Sequence, residues 1–214
     1  MKEVIKVEHV SMVFGEETVL KDVSFEFEEG KIYGIIGNNG SGKTVLMKCI
    51  CGFLVPTRGK IFVNYKQVGK DVDFPEDMGI IIETPGFLPN LTGFKNLELL
   101  ASIQNKIGED VIRETLEKVG LDYKSKKPVA KYSLGMRQRL GIAQAIMEDP
   151  SILILDEPFN GLDKKGVAHI HKLILELKNR NKTIILSSHS QNDIDVLCDV
   201  VCEMDAGEFG RCNI

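Results

Sequence analysis

One stretch constrains this chain more than any other: Gly37-Asn38-Asn39-Gly40-Ser41-Gly42-Lys43-Thr44. It has the spacing G-x-x-x-x-G-K-T. It lies between an apolar run, Lys31-Ile32-Tyr33-Gly34-Ile35-Ile36, and a run that reads as a helix, Val45 to Cys51. Strand, loop and helix in that order make the pattern a phosphate-binding loop. Its glycines let the backbone approach an anion with no Cβ in the way. Successive N–H groups then converge on the anion at a helix N-terminus. Lys43 supplies a point charge to the outer phosphates, and the Thr44 hydroxyl is a ligand for Mg²⁺. The plain alternative is a glycine-rich turn followed by an accidental Lys-Thr. The flanking strand and helix argue against it and for nucleotide binding.

The loop needs a sheet around it, and 214 residues suffice for one large domain, or one with a small appendage. With 43% apolar residues the chain can bury a substantial core. A net charge of −4 gives no electrostatic attraction to nucleic acid or to an anionic membrane surface. The longest aliphatic runs, Ile80-Ile81-Ile82 and Ile152-Leu153-Ile154-Leu155, are far shorter than a membrane span. Met1 to Val7 alternates polar and apolar residues and has no signal-peptide core. A cytosolic chain, unless a partner anchors it, is the expectation. Cys198 and Cys202 could share one helix face, but no second pair with zinc-site spacing accompanies them. Reduced, buried thiols are expected at Cys49, Cys51, Cys198, Cys202 and Cys212.

Taken in order, residues 1–30 read as β structure. Val4, Lys6 and Glu8 fall on one face of a first strand, and Ile5 and Val7 on the other. Met12-Val13-Phe14-Gly15 precedes a short strand, Thr18-Val19-Leu20, and Val23 to Phe27 alternates as a half-buried strand. Phe14 reads from composition as core filling, or else as a flat platform for a base. Gly52 is placed to cap the helix after the loop. Lys60 to Val63 is a strand, and Gly79 to Ile82 reads as one buried on both faces. From Asn90 to Met147 the spacing turns helical, with Ser133 placed as an N-cap and Met136, Leu140, Ala143 and Met147 as a stripe. Ile152 to Leu155 predicts a buried parallel strand ending in Asp156-Glu157. Val167 to Leu177 then gives an amphipathic helix, Thr183 to Leu186 a strand ending at His189, and Asp199 to Met204 a last strand.

Alternating strands and helices predict a mostly parallel sheet covered by helices, with ligands at the carboxyl ends of its strands. The phosphate loop, Glu83, Asp156-Glu157 and His189 all fall at such ends. Asp156 is placed to hold Mg²⁺ through water, and Glu157 to orient or deprotonate an attacking water. His189 is placed to stabilise the γ-phosphate or to hold the water and Glu157, its plain alternative being a satisfied structural side chain. No arginine finger is visible. Ser133 offers instead a hydroxyl, backbone donors and a positive dipole end to some phosphate.

These residues resemble the nucleotide-binding subunit of an ABC transporter over essentially the whole chain. Gly37 to Thr44 is similar to the Walker A loop, Ile152 to Glu157 to the Walker B strand, Asn160-Gly161-Leu162-Asp163 to the D-loop and His189 to the switch histidine. Phe14 falls where the family has its adenine-stacking aromatic. Two positions depart from the pattern. The signature reads Tyr132-Ser133-Leu134-Gly135-Met136 in place of Leu-Ser-Gly-Gly-Gln, keeping the serine and the second glycine. The Q-loop position is Glu83, a carboxylate that can bind Mg²⁺ or water but adds negative charge near the triphosphate. The stretch from Glu83 to Gly93 resembles the subgroup of bacitracin and lantibiotic exporters.

The resemblance implies an α/β fold: a P-loop NTPase core with a mostly parallel sheet, an N-terminal antiparallel β subdomain and an inserted helical subdomain. It implies one domain over 1–214. Residues 1–30 and 60–75 would form the β part, 31–59, 76–86 and 148–214 the core, and 87–147 the helical part. It also implies an ATPase using ATP and Mg²⁺, with Phe14, Gly37 to Thr44, Ser133 and Gly135 on the nucleotide. Thr44, Glu83 and Asp156 would serve the metal, and Glu157, His189 and Glu83 the chemistry. Two cassettes, expected as a homodimer on ATP binding with a second, different cassette as the alternative, would sandwich two ATP molecules head to tail, each Walker loop facing the other chain's Ser133. An integral-membrane permease would hold the pair at the inner face of the membrane, contacted by residues around Glu83 to Leu100. No nucleic-acid partner is expected. The readings set against this are an ABC ATPase acting on ribosomes or DNA and a GTP-binding switch. The first usually carries two cassettes or a long coiled-coil insertion, and the second an Asn-Lys-x-Asp motif. The chain has none of these.

Overall fold

The computed structural model describes residues 2–211, and Cys212 lies outside them. Among the described residues ten strands form two sheets, with six α-helices around and between them. The first is four-stranded and antiparallel, built from β1 (Glu3–Phe14), β2 (Glu17–Glu28), β4 (Arg58–Val63) and β5 (Lys66–Gln67) in the order β2-β1-β4-β5. The second has six strands: β3 (Ile32–Ile36), β6 (Met78–Ile81), β7 (Ile152–Leu155), β8 (Thr183–Ser187), β9 (Val200–Asp205) and β10 (Glu208–Arg211). Their order is β10-β9-β3-β8-β7-β6, with every pair parallel except β10–β9. The helices are α1 (Lys43–Ile50), α2 (Gly93–Gln104), α3 (Glu109–Lys118), α4 (Leu134–Ile146), α5 (Lys164–Asn179) and α6 (Gln191–Leu197).

Period-two alternation divides the central strands between two cores. Leu153 and Leu155 of β7, with Ile184 and Leu186 of β8, point to the side covered by α2 to α6. Ile152, Ile154 and Ile185 point to the side holding α1 and the antiparallel sheet. All four residues of β7 are buried, which is why the run reads as uniformly apolar. Leu153→Ala is expected to destabilise the protein by about 2–5 kcal/mol through lost burial and a cavity. Denaturant unfolding checks this, since the midpoint should fall with little change in slope.

Four expectations about the strands change. Thr18–Leu20 and Val23–Phe27 are parts of one strand, β2, paired along β1. The break in pattern comes from bulges at His9 and Asp22, both at positive φ. His9 and Asp22 side chains meet at 2.9 Å there, while Ser24 and Ser11 accept the N–H groups of His9 and Asp22. A register shift beside Val4 likewise turns it inward, away from Lys6 and Glu8. β6 is not buried on both faces. It is an edge strand whose Ile80, like Ile82 beyond it, is only half-buried. β9 is not the last strand, because Ala206-Gly207 turns the chain back into β10. The helix ends agree with their punctuation. Gly52, at φ +81, completes a Schellman closure in which Gly52 and Phe53 donate to the carbonyls of Cys49 and Lys48. Gly120 closes α3 the same way. Cys49, Cys51, Cys198 and Cys202 form no disulfide, and burial pushes Cys49 and Cys198 up to about 12. Cys198 follows α6 and Cys202 lies on β9, so they share no helix face.

A candidate nucleotide-hydrolysis site

The sheet order carries the candidate residues to one edge. β3, β8 and β7 are neighbours, in register from Ile32 with Ile184 and from Ile152 with Thr183, so their carboxyl ends finish level. From those ends leave the phosphate loop, His189 and Asp156-Glu157. A cavity of about 410 Å³ lies there, lined by the residues from Asn39 to Val45 and by Phe14, Glu17, Val19, Asp156, Glu157 and His189.

The loop is built as its glycines require. Gly37, Gly40 and Gly42 have φ of 144°, 79° and 115°. A Cβ at Gly37 would stand 2.2 Å from the Met204 carbonyl oxygen, while one at Gly40 would meet nothing within 4 Å. Gly42 is the N-cap of α1 and gives its first-turn N–H groups no side-chain acceptor. Lys43, 7% exposed, donates to the carbonyls of Gly37 and Asn38 at 2.7 and 2.9 Å. Ser41, also buried, has no partner for its hydroxyl. Free helix-end donors, an ammonium and an orphaned hydroxyl around an open cradle suit a polyanion.

A short polar network joins this loop to the strand ends. Thr44 Oγ1 donates to Asp156 Oδ2 at 2.7 Å, and Ser187 Oγ donates to Asp156 Oδ1 at 2.7 Å. Ser187 Oγ accepts the N–H of Glu157 at 2.9 Å, and the Gln138 side chain donates to the Glu157 carbonyl at 3.2 Å. Both main-chain groups of Glu157 are thus held, at a φ of 50°. Its side chain is left available. His189 Nε2 lies 3.2 Å from Glu157 Oε1, within ion-pair reach but not aligned as a hydrogen bond. Burial pushes the Glu157 carboxyl above its ordinary range and Asp156 adds to this, while His189 and Lys43 act the other way.

Phe14 is 46% exposed on the cavity wall, at the end of β1, and does not fill the core. Glu83 is not on that wall. Its carboxylate lies 2.5 Å from Lys48, one turn along α1 from Thr44. Lys48, which the sequence reading passed over, offsets part of the extra charge. Ser133 and Gly135 lie elsewhere again. Ser133 caps α4, accepting the Met136 N–H at 3.2 Å. A Cβ at Gly135 would come 2.6 Å from the Gly161 carbonyl oxygen, and one at Gly161 would come 2.4 Å from Leu134 Cγ. Two glycines therefore let the start of α4 press against the loop that follows Glu157. Ser187 and Gln138 are the other members that sequence reasoning missed. Nothing local marks them, since their partners are some thirty and nineteen residues away.

The family model described as "ABC transporter" matches residues 20–160. The chain belongs to the ABC transporter family. It is 45% identical to an uncharacterized ABC transporter ATP-binding protein of Bacillus subtilis, YybJ, over 96% of this chain and 94% of that one. It is 42% identical to the bacitracin transport ATP-binding protein BcrA of Enterococcus faecalis, over 98% of this chain and 68% of that one. The fold superposes on the dimeric structure of MJ0796, a bacterial ABC transporter cassette, with a TM-score of 0.87 at 24% identity, covering 97% of each. As an ABC cassette the chain is an ATP-binding and ATP-hydrolysing subunit.

Proposed function

We propose that this cassette hydrolyses Mg·ATP to drive a membrane exporter of a peptide antibiotic or drug, and that residues 1–214 act as one ATPase unit. The observation that carries the hydrolytic part is an anion cradle set beside a carboxylate that His189 approaches. Glu157 Oε1 has no hydrogen-bond donor, yet it faces the loop that holds Lys43 and Thr44. Phe14 would stack on the base and Gly37 to Thr44 would wrap the phosphates. Thr44 and Asp156, already in contact, would hold Mg²⁺, and Glu83 would have to leave Lys48 to reach the ion or its water. Mg²⁺ would add charge neutralisation at the phosphates and keep several waters of its own. These residues fit it as a partial shell. Among the described residues no group of three or more His, Cys, Asp or Glu could hold a metal alone.

In the reaction, Glu157 takes a proton from water as the water oxygen bonds to the γ-phosphorus. The bond from that phosphorus to the bridging oxygen breaks, and ADP keeps the bridging oxygen and its electrons. His189 holds Glu157 and the water in line. Ser133 and Gly135 would act on the phosphate held by a second copy of the chain, supplying in trans the donors that an arginine finger supplies elsewhere. The shared fold with a dimeric cassette supports that pairing.

The exporter part rests on the likeness to the bacitracin transport protein. No helix among the described residues is long and apolar enough to cross a membrane, so a separate permease would supply the path. A groove of about 700 Å³ along the β6 edge offers it a seat near Glu83 to Leu100. Phe53, Phe74 and Ile103, 51%, 61% and 78% exposed, give the groove apolar walls. The cassette would then sit in the cytoplasm at the inner face of the membrane. Phosphate release from ATP and from GTP, with and without Mg²⁺, tests the chemistry, and a strong GTP preference would overturn it. Co-purification tests the partner. A multi-span membrane protein is expected, and ribosomes in its place would overturn the exporter.

Phe14→Ala is expected to weaken ATP binding about 5- to 150-fold, since a base on an aromatic ring contributes ~1–3 kcal/mol. Titration of the purified chain with ATP checks this. Unchanged affinity would remove Phe14 from the site.

A further inference from the structure

Behind His189 lies a buried polar chain that the phosphate site does not use. His171 on α5 and Asp193 on α6 are 8% and 4% exposed. His171 Nε2 lies 3.0 Å from Asp193 Oδ1, and Ser188 Oγ donates to Asp193 Oδ2 at 2.7 Å. Ser188 Oγ in turn accepts the N–H of Ser190 at 3.1 Å, closing a loop around His189. On its other side the His171 ring meets Phe159 edge-on, with centroids 4.8 Å apart. Phe159 is two residues beyond Glu157. A single imidazole therefore touches the loop after Glu157 directly, and through one carboxylate it reaches both neighbours of His189.

This arrangement is not what folding alone requires. An apolar cluster of the same volume would stabilise the fold as well as a buried ionisable pair does. A fully satisfied buried network instead fixes one geometry, at high cost when one member is lost. His189 needs such support because its side chain is half-exposed and packing does little to fix it. Its 3.2 Å approach to Glu157 must be set by the backbone on either side, which is where this chain of contacts attaches.

We propose that His171, Asp193 and Ser188 are positioning residues for hydrolysis: they fix the main chain around His189 and tie it to the Phe159 loop. The proposal rests on the ATPase reading and goes beyond it. None of the three lines the cavity of the phosphate loop, so they bear on turnover and not on ATP binding.

The test uses the full chain with Mg·ATP and measures kcat, KM and melting temperature for His171→Leu, His171→Gln, Ser188→Ala and the double variant His171→Leu/Ser188→Ala. His171→Leu should lower kcat about 10-fold or more, the scale of a sub-ångström misplacement, with KM within about twofold. His171→Gln, whose amide can again donate to Asp193, should recover most of that loss. Ser188→Ala should lose less, and the double variant no more than His171→Leu alone, because one connection is broken twice. The proposal fails if kcat is unchanged in His171→Leu. It fails also if KM rises with kcat intact, or if both His171 variants lose activity and melting temperature alike. Should His171→Leu not fold, wild-type kcat in Ser188→Ala overturns it. A wild-type chain that releases no phosphate would end the ATPase reading and this proposal with it. Active wild type with unaffected variants ends this proposal alone.

Discussion

Glu157→Gln is expected to cut ATP hydrolysis by about 10²–10⁴-fold, the range a positioned general base supplies, while ATP still binds. The geometry makes the substitution clean. Ser187 and Gln138 hold the residue through its N–H and its carbonyl, and a change of side chain leaves both bonds in place. What disappears is the charge and the proton capacity of Oε1, the atom His189 approaches. Stability should move the other way. Burial raises the folded pKa of Glu157 above its unfolded value. The native state therefore holds that proton more tightly, and the resulting stabilisation is present in acid and lost as pH rises through the raised pKa. At neutral pH the carboxylate is a burden that glutamine removes, so melting temperature should hold or rise. Single-turnover phosphate release, nucleotide titration and thermal melts at pH 7 measure all three. Wild-type turnover would remove Glu157 from the mechanism, and lost binding would make it a nucleotide ligand instead.

The same residue shows what a sequence can carry. Glu157 is legible because it follows a four-residue aliphatic run, and a buried parallel strand must end where its polar residues start. Gly37 to Thr44 is legible for a similar reason, since loop, cap and helix are all local. Local punctuation likewise marks Gly52, Gly120 and the Ser133 cap. Contacts made by distant register are not marked. Ser187 reads as one serine in a pair until β8 is laid beside β7, which brings its hydroxyl to Asp156 and to the Glu157 N–H. His171 and Asp193 are 22 residues apart on two helices, and spacing gives no sign that they meet. The exposure of Ile80 depends on β6 being an edge strand, a fact of strand order. The bulges at His9 and Asp22 interrupt the alternation that would have joined the two halves of β2. Chemistry concentrated in a loop was thus readable, whereas the network that aims it was not.

Ser133→Arg is expected to abolish ATP-dependent pairing of the chain and, with it, hydrolysis by about 10³-fold or more, the scale of donors supplied in trans. Within a single chain Ser133 does not line the phosphate cavity, so the variant should bind ATP normally as a monomer. Its effect depends on where the start of α4 faces. Ser133 and Leu134 are exposed at that end, and Gly135 presses on Gly161, so the capped helix end and the loop after Glu157 form one surface. A guanidinium there puts bulk and positive charge on a helix N-terminus whose partial charge is already positive. It also removes a cap, which by itself costs about 0.5–2 kcal/mol. Ser133→Ala separates the two effects, because it loses the cap without adding bulk. The alanine variant should pair and turn over slowly, and the arginine variant should do neither. Light scattering after size exclusion, run with ATP in the Glu157→Gln background to hold the closed state, reads pairing directly. An arginine variant that pairs at the ATP concentrations sufficient for Glu157→Gln alone would mean that the second chain meets the nucleotide through some other surface, and the donors for the γ-phosphate would then have to be sought within one chain.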